Sequence, residues 1–327
     1  MKTKVAFFNK QEDAGENSKI GAVYGLGRYE KIAEMADLYP HIISADNFEE
    51  HVNNLQDLEV IFSTWGMPQL TEEQVARLPN LKCVFYAAGA SRGWRMPYLN
   101  NNVKVATATP ANAIPVAEFC LGQILLSMKG FFRNSRNLTD YQTAKNGKDK
   151  FGGPGCYGET VALIGEGAIS RKLQELLKPF DLNIMVVSSY LDKSEISLEE
   201  AFEKAYVISS HLPNLETNKG VLNGELFKRM RQTATFINTA RGAQVNHDDL
   251  IEVFRERQDL TALLDVQHPE PPEEGSELYT LPNVYLSSHI AGSHNDEFAR
   301  MADFMIADFQ RWQRGEELLY EVDSEQL

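Results

Sequence analysis

Three stretches in the second half of the chain carry side chains suited to polar chemistry after apolar runs. Arg241 ends Phe236-Ile237-Asn238-Thr239-Ala240-Arg241 and precedes Gly242. Asp265 and Glu270 lie in Leu264-Asp265-Val266-Gln267-His268-Pro269-Glu270-Pro271-Pro272. His289 follows Leu286-Ser287-Ser288 and precedes Ile290-Ala291-Gly292. Arginine presents a planar fork that matches a carboxylate bidentately. Histidine is the usual acid/base near neutral pH, and an adjacent carboxylate favours its charged form and fixes its tautomer. Taken singly, Arg241 reads as a surface ion-pair residue and His289 as a core or capping histidine. At successive strand ends, the three together suit reduction of a carbonyl beside a carboxylate, or the reverse. Arg241 would hold the carboxylate and polarise the carbonyl. His289 would donate the proton, and Glu270 would keep it charged.

A second element is the glycine turn in residues 160–170, TVALIGEGAIS. An apolar run, Val161 to Ile164, enters Gly165-Glu166-Gly167, and a helical pattern with Ile169, Leu173, Leu176 and Leu177 follows. Strand, glycine turn and helix are the setting of a dinucleotide fingerprint. Gly165 allows the tight turn, and Gly167 lets a pyrophosphate approach the backbone. The N–H groups at Ala168 and Ile169 then face negative charge. Ser170 stands where a third glycine is usual, although it is small enough for helix–strand packing. On these residues alone, an ordinary strand-to-helix turn reads as well. A second pair, Gly25-Leu26-Gly27, lacks both a third glycine and a well-placed acid.

These groups need a frame. Short apolar runs at 5–8, 42–43, 60–62 and 83–86 read as strands, with helical patterns at 29–38, 47–57 and 71–78 between them. Residues 9–19 read as a polar loop. A buried helix is expected at 116–128, a polar, glycine-bearing arm at 133–158, and a last helix at 295–318. A second strand series is expected at 161–164, 184–188, 206–209, 234–237, 261–264 and 284–287. Such alternation means parallel α/β sheets. Ligands bind at the carboxyl ends of such sheets, so 63–67 and 87–91 are candidate substrate walls. At 327 residues, two domains are expected. The net charge is −14, from 32 Lys plus Arg against 46 Asp plus Glu, which disfavours nucleic-acid or anionic-membrane binding. Three cysteines without a C-x-x-C pair suit a reducing compartment. Neither a leader segment nor a run long enough for a membrane span is seen, so a cytoplasmic location is expected. No metal site is expected.

From about 84 to 318 the chain resembles the D-isomer-specific 2-hydroxyacid dehydrogenases, such as phosphoglycerate dehydrogenase and glyoxylate/hydroxypyruvate reductase. ATPANAIPVAEFCLGQIL, VALIGEGAIS, SSHLPNLETNKGVLNGELFKRM, FINTARGAQV, LLDVQHPEPP and LPNVYLSSHIAG carry the resemblance, in order. It implies two Rossmann-like, doubly wound α/β domains. The substrate domain would be discontinuous, 1–106 plus 291–327, and the dinucleotide-binding domain would be 107–290. It places the family's catalytic Arg, Glu and His on Arg241, Glu270 and His289. It assigns the nicotinamide carboxamide to Asp265, and the cofactor lining to His211, Pro213, Thr239 and Ala240. Backbone amides near Ala88, Gly89 and Ala90 would hold the substrate carboxylate. A small 2-oxo or 2-hydroxy acid substrate and a homodimer, formed through the region near 110–150, are also implied.

The chain departs from the pattern at the expected ribose acid, where Ser188 and Ser189 stand. An acid there repels a 2′-phosphate, so its absence leaves NAD and NADP both open, with a lean to NAD. Lys193 is the near cation and Asp192 an alternative ribose partner. After Gly89 the chain reads Ser91-Arg92-Gly93-Trp94, where family members often carry an acid. Arg92 and Trp94 either shape a pocket for a bulkier or more acidic substrate or pack at the domain junction. A dinucleotide-sensing, corepressor-like protein is the alternative function. A hydrolase is disfavoured because no G-x-S-x-G elbow is present.

Overall fold

Val5-Ala6-Phe7-Phe8 forms an interior strand of a sheet, and all four side chains are buried, as in a parallel sheet covered on both faces. The computed structural model describes residues 2–15, 17–89 and 91–322. Its strands are β1 (Lys4–Phe8), β2 (Asp37–Leu38), β3 (Val60–Ser63), β4 (Cys83–Tyr86), β5 (Lys104–Thr107), β6 (Thr160–Ile164), β7 (Asn183–Val187), β8 (Val207–Ser210), β9 (Thr235–Asn238), β10 (Thr261–Leu264), β11 (Val284–Leu286) and β12 (Glu321–Val322). One sheet has the order β12-β5-β4-β3-β1-β2, the other β11-β10-β9-β8-β6-β7. The described pairings are parallel except β12 on β5, which is antiparallel. The two-sheet α/β class expected from the sequence is therefore observed.

The chain divides into two compact units, Met1–Ala113 with Ser293–Leu327, and Ile114–Gly292. Each sheet is sandwiched by two apolar clusters. In the first unit, Val5, Phe7, Phe62 and Phe85 face one side with Met305 and Phe309, while Ala6, Phe8, Ile61 and Val84 face the other. In the second, Ile164, Ile208 and Phe236 face one side, and Val161, Leu163 and Ile237 the other. This alternation follows from the two-residue period of a strand.

The helices that bear on the site are α1 (Thr109–Met128), α2 (Phe131–Asn137), α3 (Tyr141–Phe151), α4 (Ala168–Leu177) and α5 (Glu297–Gln313). Several expectations are corrected. The strand beside β1 is Asp37–Leu38, while Ile43 makes only an isolated bridge to Phe8. The helix expected at 29–38 ends at Met35, where Ala36 turns extended and leads into β2. A short helix, Lys19–Tyr24, starts at the end of the supposed loop, with Ser18 Oγ accepting from Gly21 N–H at 2.9 Å. The supposed arm contains α2 and α3, the latter started by an Asp140–Thr143 capping box. The run expected to be helical from 116 begins at Thr109 and contains Pro115. At 20 residues and mean hydropathy 1.3, α1 is long and apolar enough to cross a membrane, contrary to the expectation, though half of it is buried in the protein.

Candidate active site

The segments beyond the carboxyl ends of β10 and β11 carry Glu270 and His289. Glu270 Oε1 lies 2.7 Å from His289 Nδ1, and the two side chains are 39% and 47% exposed. With Nδ1 engaged, Nε2 is the nitrogen left for chemistry. His289 has a left-handed backbone, φ 57°, uncommon for a residue with a Cβ. What holds it there is Asp265, 1% exposed. Its Oδ1 accepts from Ser287 Oγ at 2.6 Å and from Ile290 N–H at 2.9 Å, and its Oδ2 accepts from Ala291 N–H at 2.9 Å. Its carbonyl accepts from His289 N–H at 3.0 Å. A buried carboxylate thus draws the 287–291 loop around itself, and these charge-assisted bonds offset its desolvation. Asp265 therefore positions His289, a link that the sequence analysis did not assign. Gln267 braces the same loops, donating Nε2 to Leu264 O at 2.8 Å and Ser287 O at 3.4 Å.

Arg241 leaves β9 through a turn made by Asn238. Asn238 is fully buried, accepts from Ala240 N–H at 3.1 Å and donates to Arg241 O at 3.2 Å. The guanidinium is exposed and donates to Ala240 O at 2.6 Å. Among the described residues no carboxylate pairs with it, which leaves its fork available to an anion. Gly242 brings this turn against the next, since a Cβ there would lie 2.0 Å from the Gln267 backbone. Asn238 and Gly242 were missed as site-builders. Their only signal was the Asn-x-Ala-Arg-Gly spacing after an apolar strand.

The glycine turn suits a dinucleotide in three respects. Gly165 has φ 108°, and a Cβ there would lie 2.6 Å from His211 O. Around Gly167 nothing lies within 4 Å of the corresponding position, so the backbone is open to a ligand. No side chain caps the N-terminus of α4, whose first residues are Ala168 and Ile169, so its leading N–H groups and dipole remain available to a pyrophosphate. Ser170 is fully buried, in keeping with a small residue at the helix–strand contact. Ser189 Oγ accepts from Glu166 N–H at 2.8 Å and so ties the β7 loop to the glycine turn. Ser188 builds its own turn, donating N–H to Ser194 Oγ at 2.9 Å and accepting from Tyr190 N–H at 3.1 Å.

His211 is buried beside that turn. Its N–H donates to Ile164 O at 2.7 Å, Nε2 meets Ser209 Oγ at 3.0 Å, and Nδ1 has no partner among the described residues. Burial pushes its pKa down to about 4, so the ring is neutral. The loop beyond it is held by Gln244, which donates Nε2 to Leu212 O at 2.9 Å and Pro213 O at 3.0 Å. Thr239 Oγ1 lies 3.3 Å from Cys120 Sγ, and Ala240 is buried at the same turn. Burial raises the Cys120 thiol to about 11.

In the first unit, the loop after β4 begins Ala87-Ala88-Gly89. Ala88 N–H already donates to Tyr86 O at 2.8 Å. Gly89 O accepts from Thr109 Oγ1 at 2.9 Å, and no described acceptor takes Gly89 N–H. A Cβ on Gly89 would lie 3.4 Å from Asn112 Nδ2, whose own Oδ1 is held by Ser293 Oγ at 3.1 Å. Two donors therefore sit side by side, and Asn112 is a site candidate that the sequence analysis missed. Ala90 lies outside the described residues. Trp94 is buried in the first unit's core, edge-on to Tyr86 at 4.8 Å and Tyr98 at 5.6 Å. Arg92 is exposed.

Residues 121–291 match the family model described as the D-isomer specific 2-hydroxyacid dehydrogenase NAD binding domain. The chain is 32% identical over 272 residues to YoaD of Bacillus subtilis, whose name assigns it provisionally as a 2-hydroxyacid dehydrogenase. That match covers 77% of this chain and 76% of YoaD. It is 28% identical over 280 residues to a glyoxylate reductase of Thermofilum pendens, covering 82% of each. In fold it is similar to apo D-mandelate dehydrogenase of Rhodotorula graminis, with a TM-score of 0.78 at 19% identity over 99% of this chain and 98% of that one. With a matched NAD-binding segment that fills most of the second unit, the chain belongs to the D-isomer specific 2-hydroxyacid dehydrogenases, NAD-dependent oxidoreductases that transfer a hydride.

Proposed function

We propose that the protein interconverts a 2-oxo acid and its 2-hydroxy acid, with Arg241 as carboxylate clamp and His289–Glu270 as the acid/base pair. The observation that carries this reading is the 2.7 Å His289–Glu270 contact on a loop fixed by buried Asp265. A nicotinamide, when bound, would supply the hydride for reduction of the carbonyl carbon. Arg241 aligns the carboxylate and draws charge from the neighbouring carbonyl. As negative charge builds on that oxygen, His289 Nε2–H delivers the proton, while Glu270 keeps the ring oriented through Nδ1 and offsets its positive charge. His289 then regains a proton from solvent. We take the first unit as the substrate domain, where Gly89 N–H and Asn112 Nδ2 would be donors for an anionic group.

The second unit would hold the dinucleotide through the Gly165–Ile169 turn, with Asp265 taking the carboxamide on its remaining lone pairs. His211, Pro213, Thr239 and Ala240 would line the site. Cofactor choice leans to NAD. No arginine stands at Ser188–Ser189, and Lys193 Nζ rests over the Tyr190 ring at 5.3 Å. We further propose a homodimer, for which α2, α3 and the turn between them offer exposed Phe131, Tyr141 and Leu138, and a cytoplasmic location. Fluorescence titrations with NADH and NADPH, followed by addition of glyoxylate or hydroxypyruvate, test the reading. Tight binding of one nucleotide and its oxidation on adding the acid are expected. Binding of neither would overturn it.

A further inference from the structure

The end of β7 lacks the usual ribose acid, but a carboxylate reaches the same corner from another element. Glu166 stands between Gly165 and Gly167, and its N–H donates to Ser189 Oγ at 2.8 Å. Gly165 N–H donates to Val187 O at 2.9 Å. Two successive residues of the glycine turn are thus bonded to the last residue of β7 and to the loop beyond it. The Glu166 backbone therefore lies one hydrogen bond from the place where a dinucleotide fingerprint puts its acid. Its side chain is exposed, and among the described residues no cation pairs with it.

Ser188 and Ser189 leave the choice of cofactor open. Their oxygens accept from Tyr190 N–H at 3.1 Å and from Glu166 N–H at 2.8 Å. No described acceptor takes either hydroxyl proton, so both remain donors. A hydroxyl donor suits a ribose oxygen and a phosphate oxygen alike. The N–H groups that open α4 face the pyrophosphate, which NAD and NADP share. Charge is then what separates the two, since a phosphate monoester carries about −1.5 to −2 near neutral pH. The loop after β7 holds Asp192, Lys193 and Glu195. With Glu166 these make three acids against one lysine, and that lysine's Nζ rests over the Tyr190 ring at 5.3 Å.

We propose that Glu166 replaces the missing ribose acid as the discriminating charge: its carboxylate repels a 2′-phosphate and makes the protein selective for NAD. The Ser188 and Ser189 hydroxyls bond the ribose. This rests on the dinucleotide reading of the Gly165–Ile169 turn. The discriminating acid thus comes from the turn after β6 instead of the end of β7.

The test measures Kd for NADH and NADPH by fluorescence titration in the wild type, Glu166→Gln and Asp192→Asn, each at low and high salt. The wild type should bind NADH at least about tenfold more tightly than NADPH. Glu166→Gln should narrow that ratio by about tenfold through tighter NADPH, with NADH nearly unmoved. Added salt should narrow the ratio in the wild type and do so less in the variant, because an exposed charge pair is screened. Equal weakening of both nucleotides in Glu166→Gln would mean a structural role and overturn the proposal. A ratio that moves in Asp192→Asn but not in Glu166→Gln overturns it too, as does a wild type that binds NADPH equally well or better. Any of these leaves the dinucleotide reading standing, whereas binding of neither nucleotide to the wild type would sink both.

Discussion

The two sheets share one plan and carry different groups at their carboxyl ends. In each, the first strand lies between the third and the second, so the strand order reverses at the same place. In the second unit the ends of β9, β10 and β11 lead to ionisable Arg241, Glu270 and His289. In the first, the ends of β3 and β4 lead to an aromatic ring, Trp65, and to backbone at Ala87–Gly89. The two edges are also braced differently. The second is braced by a buried charge, Asp265, with three donors on its carboxylate. The first is braced by neutral groups: Asn9 on Trp65 O, Ser63 Oγ on Phe8 O at 2.6 Å, and Thr64 Oγ1 on Ala87 O. One frame therefore presents ionisable groups at one set of strand ends and an aromatic ring with open backbone at the other. The difference lies in which side chains the strand ends deliver and what holds them.

The comparison breaks most sharply at the ionisable edge. His289→Ala should lower kcat by about a thousandfold, and Arg241→Ala should lower kcat/KM comparably, with NADH affinity nearly intact in a fluorescence titration. Near-normal turnover in either would remove proton transfer and anion binding from this edge.

Next in size is the effect of buried His211. Its pKa is lowered by burial from 6.5 to about 4, so the unfolded chain binds a proton that the native protein refuses. Above pH 6.5 the residue contributes nothing to the pH dependence. As pH falls from 6.5 to about 4, it should remove about 3 kcal/mol of stability. Urea titrations of wild type and His211→Gln across that window should diverge, with the variant less acid-sensitive. Parallel curves would mean that His211 protonates in place.

Asp265→Asn keeps the shape but replaces a carboxylate acceptor with a weaker one and an unwanted donor. Turnover should fall by about a hundredfold as His289 loses its placement, and its pH profile should broaden. A loss confined to NADH affinity would confine Asp265 to cofactor contact. The smallest effects separate two glycine pairs. Gly27→Ala meets open space at φ 81° and should cost about 1 kcal/mol in a thermal melt while leaving NADH binding unchanged. Gly165→Ala, pressed against His211 O, should weaken that binding in addition.

Those two glycine pairs show how far the sequence can be read. Gly25-Leu26-Gly27 and Gly165-Glu166-Gly167 look alike in isolation. The first joins the helices Lys19–Tyr24 and Arg28–Met35, whereas the second joins β6 to α4. In advance, the lack of a third glycine and of a well-placed acid counted against the first pair, and the apolar run before Gly165 supplied the strand that a fingerprint needs. The 42–43 strand failed because two apolar residues fit either an edge strand or a turn, and pairing at Asp37–Leu38 was settled by β1.

Local pattern by itself determined the parallel α/β class, the fingerprint turn and the order Arg241, Glu270, His289, because strand periodicity, glycine chemistry and side-chain functional groups act over a few residues. Only the tertiary structure decided which groups meet. It alone shows that Asp265 closes on Ala291, 26 positions away, that Asn112 lies beside Gly89, and that Trp94 sinks into a core while Trp65 caps a sheet. These outcomes depend on register and packing between segments distant in the chain, and every buried polar group must find its partner within that packing.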